Sequence, residues 1–145
     1  MTLVCTAYLA SEKFDVLKSA GYFWRVRAEG ESISKRTREL KSLQDRLLSI
    51  EQINKILLRA CDKGLIERHV VDSHLMRVIS MDLQLYTAAL AETDEEFFNE
   101  FKTRAGRLLK GVDESIWSAA TGNHRAVVWA AVNGSRDQVL KLLAG

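Results

Sequence analysis

Proline is absent from all 145 residues. The one residue whose ring and missing N–H break helix interiors is therefore never used, which favours a chain that is helical nearly throughout. Cysteine is almost absent as well. Cys5 and Cys61 fall inside apolar helical patterns, without the paired spacing of a disulfide framework or a CxxC metal site. They read as small buried hydrophobes in a reducing compartment, and no disulfide is expected. No run approaches the ~20 apolar residues of a membrane span, and the opening MTLVCTAYLA lacks the basic leader and long apolar core of a secretory signal. A cytoplasmic location is expected, with leaderless delivery into another cell as the alternative. No glycine-rich phosphate loop follows a strand and no nucleophile elbow occurs, so nucleotide and acyl-transfer chemistry have no footing. His69, Asp72 and His74 do not share the one-face spacing of helical zinc motifs. No cofactor and no metal are expected.

What is present is an ordinary globular composition, 47% hydrophobic and 28% charged. The length suits one domain, residues 1–145, able to bury a core without metals or disulfides. Its longest helical pattern runs from Glu31 to Lys63. There Leu40, Leu43, Leu47, Ile50, Asn54, Leu57 and Cys61 recur in steps of three and four, along one seam. Leu48, Ile53, Ile56 and Ala60 widen that seam, so the helix is expected to be covered on more than one side within a bundle. Fully helical, the stretch would run roughly 50 Å, longer than a domain of this size needs, so a kink, a later start or a protruding end is expected. Gly64 is placed to close it in the left-handed conformation.

Thr2 is suited to cap a first helix reaching about Ala20, with Ser11 as an alternative start midway and Gly21 as its end. After Gly64, Ile66 to Ala91 carries Val71, Leu75, Ile79, Leu83, Tyr86 and Leu90 at helical spacing and is expected to return antiparallel along the long helix. Thr93 and Glu96 have capping-box spacing before a helix whose stripe is Phe97, Phe98, Phe101, Ala105 and Leu108, ended by Gly111. The expected fold is all-α: a compact helical bundle over residues 1–111 around a long antiparallel helix hairpin. Short helices follow over residues 112–145, with a cap at Asp113, breaks at Gly122 with Asn123 and at Asn133 with Gly134, and a second capping box at Ser135 and Gln138.

The sequence WAAVNGSRDQVLKLLAG, from Trp129 to Gly145, resembles the helix-turn-helix of an ankyrin repeat. Paired alanines would lie in its first helix, Gly134 in the turn, and the Val-Leu-Lys-Leu-Leu run in its second helix. The family's Thr-Pro-Leu-His is replaced by Arg125, Ala126, Val127 and Val128. A self-stabilising stack takes about three units, more than this chain supplies, so the pair reads as a convergent hairpin or as the end of a longer array.

Three functional readings follow. The first is a protein–protein interaction module, an adaptor, inhibitor or regulatory subunit, with Trp24, Arg25, Arg27, Arg125 and Trp129 as partner-binding candidates, since tryptophan and arginine dominate interface anchors. For the aromatic ones, core packing is the plainer alternative. The second is enzymatic. Arg68 and His74 are similar to the Arg-x(4 to 6)-His signature of the HEPN ribonucleases, an all-helical family; the resemblance implies a homodimer, with arginine stabilising a phosphorane-like transition state and histidine moving the proton. The plainer reading, a solvated helix start, ranks above it. The third is a nucleic-acid or polyanion binder through Lys35, Arg36, Arg38 and Lys41. With a net charge of only +2 and with Glu29, Glu31, Glu39 and Asp45 interleaved, that cluster's field is diluted. Far-ultraviolet circular dichroism of the purified chain should show a helix-dominated spectrum; substantial β content would refute the all-α reading.

Overall fold

A computed structural model describes residues 2–13, 15, 18, 36–120 and 124–144. These residues form helices α1 (Thr2–Ala10), α2 (Leu40–Asp62), α3 (Arg68–Arg77), α4 (Gln84–Thr87), α5 (Glu95–Leu109), α6 (Glu114–Ala119), α7 (His124–Asn133) and α8 (Arg136–Ala144). A π-helical turn, Val78–Asp82, joins α3 to α4, and no strand occurs among the described residues. The described residues form an all-helical bundle. Helix α1 stops at Ala10 rather than reaching Ala20, and the Ser11 hydroxyl donates back to the Ala7 carbonyl at 2.7 Å. A serine that turns back on the preceding turn competes with helix continuation. Gly21 and the segment Tyr22 to Arg27 lie outside the described residues, as does the break at Gly122 and Asn123.

Helix α2 begins at Leu40, later than the start of the amphipathic pattern at Glu31; residues 31–35 lie outside the described residues. Glu39 precedes it in an extended conformation, and the backbone of residues 36–39 forms a turn. Of the expected seam, Leu43, Leu47, Ile50 and Leu57 are buried and Leu40, Asn54 and Cys61 only partly so; of the set that widens it, Ile53 and Ala60 are buried. Leu48 is not; it is 46% exposed, so the covered surface is narrower than the spacing alone suggests. The helix closes in a Schellman motif. Gly64 takes φ +69°, its N–H bonds to the Cys61 carbonyl, and the Leu65 N–H reaches the Ala60 carbonyl.

Beyond this turn Val71, Leu75, Ile79, Leu83, Tyr86 and Leu90 are all buried. The helix carrying them is not uniform. At Val78–Asp82 the ladder widens, with the Leu83 N–H bonding to the Val78 carbonyl at 3.0 Å, and the extra residue lets Val78 and Ile79 both be fully buried. Two polar contacts tie this region to the start of α2. The Tyr86 hydroxyl donates to the Ser42 carbonyl at 3.1 Å, and Arg46 lies 3.6 Å from the buried Asp82.

Helix α5 is capped one residue later than expected. Asp94, not Thr93, accepts from the Phe97 N–H at 2.9 Å, and Glu95 and Glu96 occupy the positive first turn. Asp94 wins because a carboxylate makes the stronger, charge-assisted bond. The buried stripe is Phe97, Phe98, Phe101, Ala105 and Leu109, with Leu108 only partly covered. Gly111, at φ +76°, turns the chain after it. Helix α5 packs on α2 and on α7, so the C-terminal helices belong to the core: Val127, Val128, Ala130, Ala131 and Val139 are buried with the rest.

One polar clasp crosses this core. Arg104 of α5 donates through Nε and one terminal nitrogen to both carboxylate oxygens of Glu51 on α2, at 3.0 and 2.8 Å, and through the other to the Gln44 carbonyl at 3.1 Å. Both side chains are only 18% exposed. The guanidinium holds the Glu51 carboxyl below its usual pKa, so the clasp contributes stability above about pH 4.5 that is lost on further acidification. Arg104→Ala should destabilise the fold by about 3 kcal/mol, the low end for breaking a buried pair because some solvent access remains. In a thermal melt this corresponds to a fall of roughly 6–12 °C. The Glu51→Ala, Arg104→Ala double variant should lose less than the sum of the single losses; simple additivity would show that the two groups do not act as a pair.

Candidate functional site

The three short C-terminal helices enclose a groove of about 950 Å³, lined by Trp117, Trp129, Val112, Ala126, Ala130 and Leu142, with Arg125, Lys141 and Glu114 as its charges. Each wall has a local cause. Asp113 caps α6 by accepting from the Ser115 N–H at 2.8 Å, and Ile116, one residue before Trp117, is buried to root the helix. Helix α7 buries Val127, Val128, Ala130 and Ala131, a run that turns Trp129 outward. Helix α8 starts in the expected capping box: the Ser135 N–H donates to the Gln138 carboxamide oxygen at 2.8 Å, while the Gln138 N–H points back at the Ser135 hydroxyl. Gly134 permits this tight turn by close approach rather than by a left-handed backbone. A Cβ there would strike the Gln138 carboxamide oxygen and come within 2.8 Å of the Ala130 carbonyl.

The α7–α8 corner is also anchored from outside. Lys102 of α5 donates to the Gly134 carbonyl at 2.6 Å, and Arg136 bonds to Glu95 at 3.2 Å and to the Thr93 carbonyl. The groove therefore stands on a fixed frame. Trp129 is 56% exposed and Leu142 48% exposed on that frame, whereas Trp117 is half-buried and packed against the core. Arg125 acts structurally, since one terminal nitrogen donates to the Trp117 and Ser118 carbonyls at 3.2 and 3.0 Å and so satisfies the unpaired end of α6. Lys141 and Glu114 have no ion pair among the described residues and are exposed beside the groove, whereas the Arg125 guanidinium is engaged by the α6 carbonyls.

The structure thus brings together two of the expected partner-binding residues, Arg125 and Trp129. Trp24, Arg25 and Arg27 lie outside the described residues. Trp117 and Leu142 are groove residues that the linear pattern does not single out. Spacing places Leu142 on the apolar side of the last helix, and only the neighbouring helices decide that this side is partly left open.

Arg68 and His74 are placed differently from each other. Arg68, at the first position of α3, is exposed and donates through Nε to Asp72 at 2.9 Å. Six residues along a helix is roughly 120° around its axis, and His74 there is turned inward, its Nε2 buried with no hydrogen-bond partner. His69, beside Arg68, meets Glu67 at 3.1 Å on the surface. The basic cluster is occupied internally as well. Arg36 lies 3.6 Å from Glu39, Arg38 2.7 Å from Glu92 and Lys41 2.7 Å from Asp45, while Lys35 lies outside the described residues. Exposed pairs of this kind are weak, but each carboxylate offsets the local positive field. Cys5 and Cys61 are both free. Among the described residues, no group of three metal-ligating side chains converges, and no helix is long and apolar enough to cross a membrane.

No family model, curated protein or solved structure matches this chain.

Burial of His74 has a measurable consequence. Desolvation of the ring pushes its pKa below 6.5, with Asp82 opposing the effect and Arg77 adding to it. A histidine with a depressed folded-state pKa takes up its proton more readily when unfolded, so its contribution is complete above about pH 6.5 and is lost as pH falls through the folded value. Denaturant midpoints of the parent should therefore drop as pH goes from about 7 to below 6, ahead of the Glu51 transition, and His74→Leu should flatten that upper part of the profile. A parent profile that is already flat there would show that the ring is not desolvated.

Proposed function

We propose that the protein acts by docking another protein segment in the groove formed by α6, α7 and α8. The observation that carries this reading is Trp129: a large aromatic side chain more than half exposed, on a helix whose other apolar residues are largely buried, beside Trp117 and Leu142 on a polar-rimmed apolar surface. Contiguous exposed apolar patches rimmed by polar groups mark interaction sites, and tryptophan is the residue type most enriched among interface anchors. The frame supports the role, because a corner tied down by Lys102 and Arg136 presents these side chains with little ordering left to do at binding. An adaptor, inhibitor or regulatory subunit would use such a surface. The ribonuclease and polyanion readings have less beneath them. Arg68 is engaged by Asp72 while His74 turns inward, and the described cations of the basic cluster each face a carboxylate.

Since its side chain is largely exposed, Trp129→Ala should melt within about a degree or two of the parent, unlike the roughly 3–5 kcal/mol loss of a buried tryptophan. Proteins captured from extract by the parent should be lost with Trp129→Ala and kept with Leu85→Ala, a control at another exposed apolar position. An unchanged captured set with a normally folded Trp129→Ala chain would remove the groove as the docking surface.

A further inference from the structure

Two arginines in this molecule are held in the same way, and only one of them meets a carboxylate. Arg104 donates through Nη1 to the Gln44 carbonyl, and through Nε and Nη2 to both oxygens of Glu51. Arg125 likewise commits Nη1 to backbone, to the Trp117 and Ser118 carbonyls, while its Nε and Nη2 have no partner among the described residues. Those two nitrogens are the side-on edge of a guanidinium, with parallel N–H bonds spaced to meet the two oxygens of one carboxylate. An arginine anchored through Nη1 presents that edge with little side-chain freedom left to lose on binding. Arg125 lines the same groove as Trp129 and Leu142.

The other groove charges reinforce this preference. Helices α7 and α8 pack on each other across the turn at Gly134. Counted from that glycine, Arg125 stands nine residues out along α7 and Lys141 seven residues out along α8, so both cations lie away from the turn, toward one end of the groove. Lys141 has no ion pair among the described residues. Glu114, the carboxylate of the groove lining, belongs to the first turn of α6, whereas Arg125 binds carbonyls of its last turn, about 6 Å further along the axis. We infer that the segment docked in the groove carries an aspartate or glutamate beside its apolar anchors, taken by Nε and Nη2 of Arg125 with Lys141 adding to the attraction. This rests on the reading of the groove as a docking surface and states the chemistry of its partner. The apolar anchors lie on Trp129 and Leu142, and the carboxylate fixes which way along the groove the segment runs.

Panning a random dodecapeptide library, displayed on phage, against the full chain tests this. Enriched sequences should place an aspartate or glutamate within about four residues of a leucine, phenylalanine or tryptophan. One enriched peptide, made with both termini blocked, is then compared by fluorescence anisotropy with the form in which its acid is replaced by the amide. That replacement should weaken binding to the parent about tenfold, and to Arg125→Lys only about twofold, because lysine keeps the charge and a donor for the α6 carbonyls but has no fork. If Arg125→Lys melts early, Lys141→Gln replaces it, and the preference for the acid should again shrink. Trp129→Ala should lose both forms of the peptide. Peptides that bind Trp129→Ala undiminished sit elsewhere on the molecule and overturn the proposal. Enriched sequences that are neutral or basic, an amide form that binds the parent as tightly as the acid, or an acid preference unchanged in both Arg125→Lys and Lys141→Gln overturn the carboxylate inference while leaving docking in the groove intact. A library with no enriched sequence overturns it as well, and the docking reading then stands or falls on the Trp129→Ala capture.

Discussion

Helix α5 has to satisfy two neighbours at once, and the rest of the bundle depends on that constraint. Its aromatic stripe of Phe97, Phe98 and Phe101 enters the common core, while α2 and α7 both pack on it. The double demand explains why its polar residues are so committed. Arg104 reaches α2 to grip Glu51, and Lys102 reaches the Gly134 carbonyl at the other side. A helix so placed transmits its position: the Asp94 cap sets where α5 begins, and Glu95 and Thr93 beside that cap receive Arg136 at the start of α8. The groove is thereby tied to the core, by hydrogen bonds whose loss would leave partly buried groups unpaired.

The polar atoms inside the bundle divide into two kinds. Arg104 with Glu51, Tyr86 with Ser42, and Arg46 near Asp82 join residues distant in sequence, and such contacts select one arrangement of helices from the many that apolar stripes alone would allow. Asn54 and His74 are of the other kind. The Asn54 carboxamide oxygen and His74 Nε2 are both buried and lack hydrogen-bond partners. Unpaired polar atoms in an apolar setting lower stability, and for His74 the cost grows with protonation, which makes the interior sensitive to acid. The π-helical turn at Val78–Asp82 lies between His74 and Tyr86. It adds a residue to the helix so that two consecutive aliphatic side chains can both be buried.

Functionally, the contrast between the two ends of the chain matters most. The C-terminal helices are short and rich in small residues, and they commit Val127, Val128, Ala131 and Val139 to the core while leaving Trp129 and Leu142 outside. A helix without charge at the other end leaves Leu3 and Val4 outside. The exposed Trp129 beside the groove is the reason the proposed activity is recognition rather than chemistry.

By itself the sequence determined the helices and their apolar faces, because these follow from local rules. Absence of proline, the three-and-four spacing of Leu43, Leu47, Ile50 and Leu57, the left-handed Gly64, and the Ser135 and Gln138 box are each readable within a few residues and recur in the fold. Where two local signals compete, the expected boundary lies a residue off, as at Thr93 and Asp94, or runs too far, as at Ser11. What only the tertiary structure decided was which apolar residues find a partner. Trp117 and Trp129 are the same residue type on neighbouring helices, and Leu48 and Leu47 are adjacent on one helix, yet in each pair one packs against the core and the other is left exposed. That difference depends on where α5, α7 and α8 come to rest, and their positions are set by contacts such as Arg104 with Glu51 between residues 53 apart in the chain, a separation at which no local spacing rule operates.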